Sequence, residues 1–256
     1  MKSMITMLAA SGAITGASHA ALVAGDIAIV GFQASGTPSD SIAFAALTDL
    51  AAGTVIYFTD NGWTGSGFRG VSGTDSDGNE NLMNFAVGAG GLAAGTVVSS
   101  VRMINDLGVW ALSGSVGTGN STFQQLSLSS TGEQVTAFVS TNATNPMFSG
   151  FTALWNFDNT GTLENATSSS TGSLPTGLTA GTSTLLTGGS NYAKFNFSAF
   201  IGAADAATWR ARFATAANWT TGTSTDSMAD GSFAIPAPGA IALLGAAGLV
   251  GTRRRR

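Results

Sequence analysis

An all-β chain, most simply a β-sandwich of about 8–12 strands with one late helix, is the fold this sequence predicts. Three observations carry that reading. Short β-branched and aromatic runs recur between clusters of Gly, Ser and Thr. Only 9% of residues are charged while 44% are hydrophobic, so the chain has a core to bury and is not disordered by composition. One late stretch alone carries a helical stripe.

The predicted strands, in order, are Asp26–Phe32, Ser41–Leu47, Thr54–Asp60, Asn81–Val87, Thr96–Met103, Gln134–Val139 and Phe151–Phe157. Several are apolar on both faces, as strands buried between layers are. The phrase Leu-Ala-Ala-Gly-Thr-Val occurs twice, at Leu50–Val55 and Leu92–Val97. Poorly matching flanks argue for a repeated turn into a strand, with Gly53 and Gly95 supplying a permissive backbone, and against a duplicated domain. In "GAADAATWRARFATAANW" the helix sets Ala206, Trp209 and Phe213 on one stripe, with Asp205 in the first turn and Arg210 and Arg212 turned outward.

Both termini read as addresses. Residues 1–20 form a signal helix: a cation at Lys2, an apolar stretch from Met4 to Ile14, and small Ser18 and Ala20 before a cut between Ala20 and Ala21. Residues 21–235 form the β-sandwich body. In residues 236–256, Pro236-Ala237-Pro238 precedes an uncharged run from Gly239 to Thr252, then Arg253, Arg254, Arg255 and Arg256. That run makes a short C-terminal membrane helix of about 21 Å against a hydrocarbon core of about 30 Å, with the arginines left on the cytoplasmic side. Such a span suits a transient hold for a processing enzyme, the alternative being a plain C-terminal anchor with basic stop-transfer residues.

Charge and residue usage exclude several functions. Residues 21–235 carry five cations (Arg69, Arg102, Lys194, Arg210 and Arg212) against fourteen acids, a net charge of −9 that repels nucleic acid. Cysteine is absent and the one histidine, His19, lies in the signal segment. Cys-His and Ser-His-Asp catalysis and ordinary zinc sites are therefore closed to the mature chain.

Carboxylate chemistry and calcium remain. "TDSDGNE" offers Asp75, Asp77, Asn79 and Glu80 as oxygen ligands on a Gly turn, and calcium is the one cofactor such a loop admits. It is not an EF-hand, which would place Gly at Glu80 and Glu at Ala86. A solvated polar loop is the simpler reading. Asp60 in "FTDNGW" and Asp158 in "NFDNTG" each close a strand, where an Asx turn is expected. A sharper reading brings Asp60 and Glu80 together as a metal, sugar or hydrolytic pair. Of the five tryptophans, Trp155 and Trp209 sit in core patterns; Trp63 in the Gly-rich "NGWTGSGFRG" is the best exposed candidate to stack on a sugar, with the cover of a sheet end as the simpler alternative. Five Asn-x-Ser/Thr sequons, beginning at Asn120, Asn142, Asn165, Asn196 and Asn218, are what chance gives in so Ser/Thr-rich a chain.

The tail's Pro-x-Pro, short apolar helix and terminal arginines resemble the PEP-CTERM sorting tail of bacterial surface proteins, departing from it at Ala237, where that family usually has Glu. The resemblance implies export by signal peptidase, transient membrane residence through the tail, and processing by an exosortase-type enzyme. It further implies delivery to the cell surface, envelope or exopolysaccharide matrix. The run from Gly25 through "NWTT" resembles an uncharacterised β-domain of exported bacterial proteins, and its first three strands are loosely similar to lamin-tail immunoglobulin-like sandwiches. Neither implies an activity. The expected function is that of a non-catalytic exported protein, with a calcium- or glycan-binding module as the alternative and a carboxylate hydrolase behind it.

Overall fold

A computed structural model of the chain describes residues 21–34, 40–69, 80–101, 104–111, 125–129, 132–164, 168, 171–186, 190–222 and 231–236. Residues 1–20, those beyond Pro236, and Asp75, Asp77 and Asn79 lie outside the described residues, and with them the expected signal helix and C-terminal membrane helix. In chain order the strands are β1 (Ile27–Gln33), β2 (Ser41–Ala46), β3 (Val55–Thr59), β4 (Leu82–Val87), β5 (Thr96–Ser99), β6 (Ile104–Asn105) and β7 (Gly108–Ala111). They continue as β8 (Gln134–Ser140), β9 (Phe151–Asp158), β10 (Ser183–Leu185), β11 (Tyr192–Phe195), β12 (Trp219–Gly222) and β13 (Gly231–Ser232). The α-helix α1 (Ala206–Ala214) lies between β11 and β12 in sequence.

Two sheets result. One runs β12-β11-β1-β2-β5-β13 and the other β10-β9-β8-β3-β4-β7-β6. Pairing is antiparallel apart from β10 on β9. Rings cross the gap between the sheets: Phe44 of β2 lies 5.5 Å from Phe58, 5.4 Å from Phe85 and 5.9 Å from Trp110, and Phe32 stacks on Phe157 at 5.0 Å. Fully burying each such side chain is worth about 1.5–3 kcal/mol, so this layer is the main cohesion of the fold. The outer face of the second sheet is covered as well. Tyr57, Trp63, Phe68, Leu82, Phe138 and Met147 form a second buried cluster there. Double coverage explains why β3 and β8 read as apolar on both faces.

All seven sequence-predicted strands are present with shifted ends. The fifth stops at Ser99, where hydroxyls take over from the ladder: Ser99 Oγ accepts from Val101 N at 3.2 Å and Ser100 Oγ from Ile42 N at 3.0 Å. The strand number exceeds the expected range because β6 and β13 have two residues each, and β10 and β12 arise from Ser/Thr-rich sequence without an apolar run.

Helix α1 starts where expected, with Asp205 as N-cap accepting from Thr208 N at 2.7 Å. Trp209 and Phe213 are buried among Phe195, Phe197, Phe200 and Phe233, plugging one open side of the sandwich. The arginines are not simply turned outward. Arg212 lies over the Phe200 and Trp209 rings at 4.7 and 4.6 Å, and Arg210 Nε donates to Gly25 O at 3.2 Å. Their long stems let them cover apolar surface that a helical wheel assigns to solvent.

The repeated phrase closes one end of the sandwich. Leu50 and Leu92 exchange both backbone hydrogen bonds, at 2.8 and 2.9 Å, so the two copies face each other as an antiparallel bridge. Each then turns through a positive-φ glycine, Gly53 at 78° and Gly95 at 89°, with Thr54 N donating to Ala51 O and Thr96 N to Ala93 O. One copy feeds β3 and the other β5, which lie in opposite sheets. Among the described residues no helix is long and apolar enough to cross a membrane.

The two glycines differ in one respect that can be measured. A Cβ on Gly53 meets nothing within 4 Å, whereas one on Gly95 drives into the Phe233 carbonyl oxygen. Gly53→Ala should cost about 1–2 kcal/mol from its backbone conformation alone. Gly95→Ala should cost about 1–3 kcal/mol more through overpacking. Urea unfolding of the two variants side by side checks the order.

Candidate functional site

The opposite end of the sandwich gathers carboxylates. There β3 ends at Thr59, β4 begins at Leu82, β8 begins at Gln134 and β9 ends at Asp158. Residues flanking these strand ends are Asp60, Glu80 and Glu133, with Asp40 at the start of β2. Asp60 is fully buried, and Glu80, Glu133 and Asp158 are each at most 3% exposed.

Asp60 is held by two distant parts of the chain. Its Oδ1 accepts from Asn81 N at 2.6 Å and its Oδ2 from Ser127 N at 2.5 Å. An Asx turn was the local expectation; long-range capping replaces it, because β3 leaves the sheet where two other segments present unpaired amides. Asp158 does make the expected turn, its Oδ1 accepting from Thr160 N at 2.7 Å and Thr160 Oγ1 at 2.6 Å. Glu133 accepts from Gln134 N at 2.9 Å and Ser129 N at 3.2 Å, while its own amide donates to Asn159 Oδ1 at 2.6 Å. Asp40 Oδ1 accepts from Leu128 N at 2.9 Å.

Three successive amides, of Ser127, Leu128 and Ser129, thus donate to Asp60, Asp40 and Glu133 in turn. Asn81 Nδ2 adds a bond to Gln125 O at 2.9 Å. Between these anchors Leu126 and Leu128 are buried in the main core. The segment 125–129 is a strap across the acidic end, with leucines facing inward and carboxylates gripping its backbone.

Electrostatics follow from that burial. Desolvation pushes Asp60 from an ordinary 3.8 up to about 7, the charge of Asp40 adds to it, and the amides of Ser127 and Asn81 oppose it. Desolvation also raises Glu133 well above its ordinary value, with the charges of Asp60 and Glu80 acting in the same direction. Asp158 is raised by burial against its Thr160 bonds.

The sequence-derived sites fare unequally. Asp60 and Glu80 do share one neighbourhood, since Glu133 senses both. Among the described residues, however, no three acids or histidines converge as a metal ion requires. Asp75, Asp77 and Asn79 of the proposed calcium loop lie outside the described residues, and Glu80 is buried where a solvated loop residue was expected. Trp63 is only 3% exposed, set edge-on to Phe68 at 5.2 Å and to Phe151 at 5.4 Å, which matches the cover of a sheet end and not the sugar-stacking alternative. A loop aromatic beside Phe68 gains more by joining the apolar cluster than by facing water. Of the tail, Pro236 alone is described, half-buried beside Ile235, Asp26, Asp49, Asp205 and Arg210. Ala21 is exposed, whereas Leu22 already packs on the core.

Asp40 and Glu133 escaped the sequence reading. Their partners lie 88 and 4 residues away, and neither sits in a motif. The one available signal was the alternation "QLSLS", which marks a half-buried extended segment. In comparisons with known proteins, no family model, curated protein or solved structure matches the chain.

The elevated Asp60 gives a pH dependence with a definite sign. The folded chain binds this proton more tightly than the unfolded one, so stability is fully present below the unfolded value near 3.8 and is lost as pH rises through about 7. Asp60→Asn should flatten that slope between pH 4 and 7. It should also cost about 1–3 kcal/mol, because one acceptor oxygen must serve where two amides donated. Urea unfolding across this pH range is the check.

Proposed function

We propose that the chain is a non-catalytic exported protein, sorted to the cell envelope or extracellular matrix, whose body is a β-sandwich and whose residues 236–256 are a processing tail. The observation that carries this reading is the engagement of the carboxylates. Asp60 and Glu133 each have both oxygens on backbone amides and are at most 1% exposed. A glycosidase pair must reach substrate and water between its carboxyl groups. These acids instead hold the chain together.

The way the body meets its ends supports the same reading. Leu22 packs on the core directly after the expected Ala20–Ala21 cut, so signal peptidase would cut just ahead of the packed body. At the other end, β13 pairs with β5, Phe233 N donates to Gly95 O at 2.8 Å, and Ala234 O accepts from Trp209 Nε1 at 3.1 Å. Phe233 and Ile235 pack against the main core. The chain is therefore stitched down up to the first proline of Pro236-Ala237-Pro238, and the tail begins at a fixed root. An exosortase-type enzyme would cut beyond a body that stays folded.

The four arginines supply the hold in this account. Each costs about 2.5–3.5 kcal/mol at the centre of a membrane helix, together about 10 kcal/mol against being drawn through. Deleting residues 237–256 should change cell fractionation and abolish processing while leaving the melting temperature of the body unchanged. Deleting from Gly231 onward should lower that temperature, because Trp209 loses the Ala234 carbonyl and Phe233. Replacing Arg253 to Arg256 with Ser should release uncut precursor. Normal retention and trimming of the Ser variant would contradict the sorting reading.

A further inference from the structure

The acidic end has a feature that display does not require. The amides of a five-residue strap are gripped by three carboxylates from three different parts of the chain, and its leucines close that end of the core. We propose that residues 125–129 are a proton-dependent closure, shut while the carboxylate trio Asp40, Asp60 and Glu133 retains a proton and loosened when the trio is fully ionised.

Geometry gives the direction. The groups that face Asp60 and Glu133 from the starts of β2, β4 and β8 are carboxyls: Asp40, Glu80 and each other. The forces favouring their ionised forms are the amide bonds of Asn81, Ser127, Ser129 and Gln134. With one proton in the cluster, the remaining negative charge is spread over those amides. With none, like charges stand together in a water-poor site, where repulsion is strong. Opening admits water to them, and the strap is the part we expect to yield. Its backbone is held by side chains, whereas β3, β4 and β8 are held by ladders. The raised Asp60 places this change near neutral pH, and Glu133 is shifted in the same direction. Opening lifts Leu126 and Leu128 off the core and uncovers apolar surface at one end of the molecule.

Amide hydrogen exchange of the full-length chain tests this, read by NMR at about pH 6 and about pH 8.5 and corrected for intrinsic rates. Protection of Ser127, Leu128 and Ser129 should fall by about tenfold or more across that interval relative to Ala137 in β8, one pKa unit of linkage being a factor of ten. Asp40→Asn keeps an oxygen for the Leu128 amide and removes one charge facing Asp60, so the fall should shrink and its midpoint move to lower pH. Strap amides that track Ala137 at every pH would overturn the proposal. So would an Asp40→Asn variant with the full wild-type fall.

Discussion

Asp60 stands where β3 leaves its sheet, fully buried, with Asn81 N on one oxygen and Ser127 N on the other. Much of this end of the molecule depends on those two bonds. A sandwich satisfies its backbone through ladders along the strands, but at the ends chains depart and amides are left over. Here the leftover amides are met by carboxylates, and burial of the charge is the cost. The elevated proton affinity of Asp60 and Glu133 expresses that cost directly.

The other end relies mainly on backbone pairing, with one exposed carboxylate, Asp49, whose Oδ1 accepts from Ala94 N at 2.8 Å. Leu50 and Leu92 bridge each other, and Gly53 and Gly95 redirect the chain into opposite sheets. One end is thus held chiefly by backbone pairing with an exposed carboxylate cap, the other by buried carboxylates. This asymmetry concentrates buried carboxylates at the strap and its neighbours. It also gives the Leu-Ala-Ala-Gly-Thr-Val repeat a role: its copies are partners across the sandwich, not relics of a longer array.

The strands were readable because their cores are long apolar runs, and α1 because Trp209 and Phe213 are four residues apart with Asp205 ahead of them. The late strands β10 to β12 were not, since Thr184, Lys194 and Thr220 owe their place to neighbouring strands and not to their own sequence. The acidic end was half legible. Asp60 and Asp158 stood out as strand-closing residues, yet the Asx reading held only for Asp158, whose partner is two residues away. The partners of Asp60 are 21 and 67 residues away, a separation no local pattern encodes. Trp63 was ambiguous for a related reason: its Gly-rich setting admits both exposure and the cover of a sheet end, and contacts with Phe68 and Phe151 decide for the latter.

The central claim is that these carboxylates serve the fold, and that burial against amides sets their chemistry. Its most direct test is the side-chain carboxyl ¹³C titration of Asp60 in the folded chain. The account predicts a midpoint near 7, well above the ordinary value. An Asp60 that titrates at its ordinary 3.8 would contradict it.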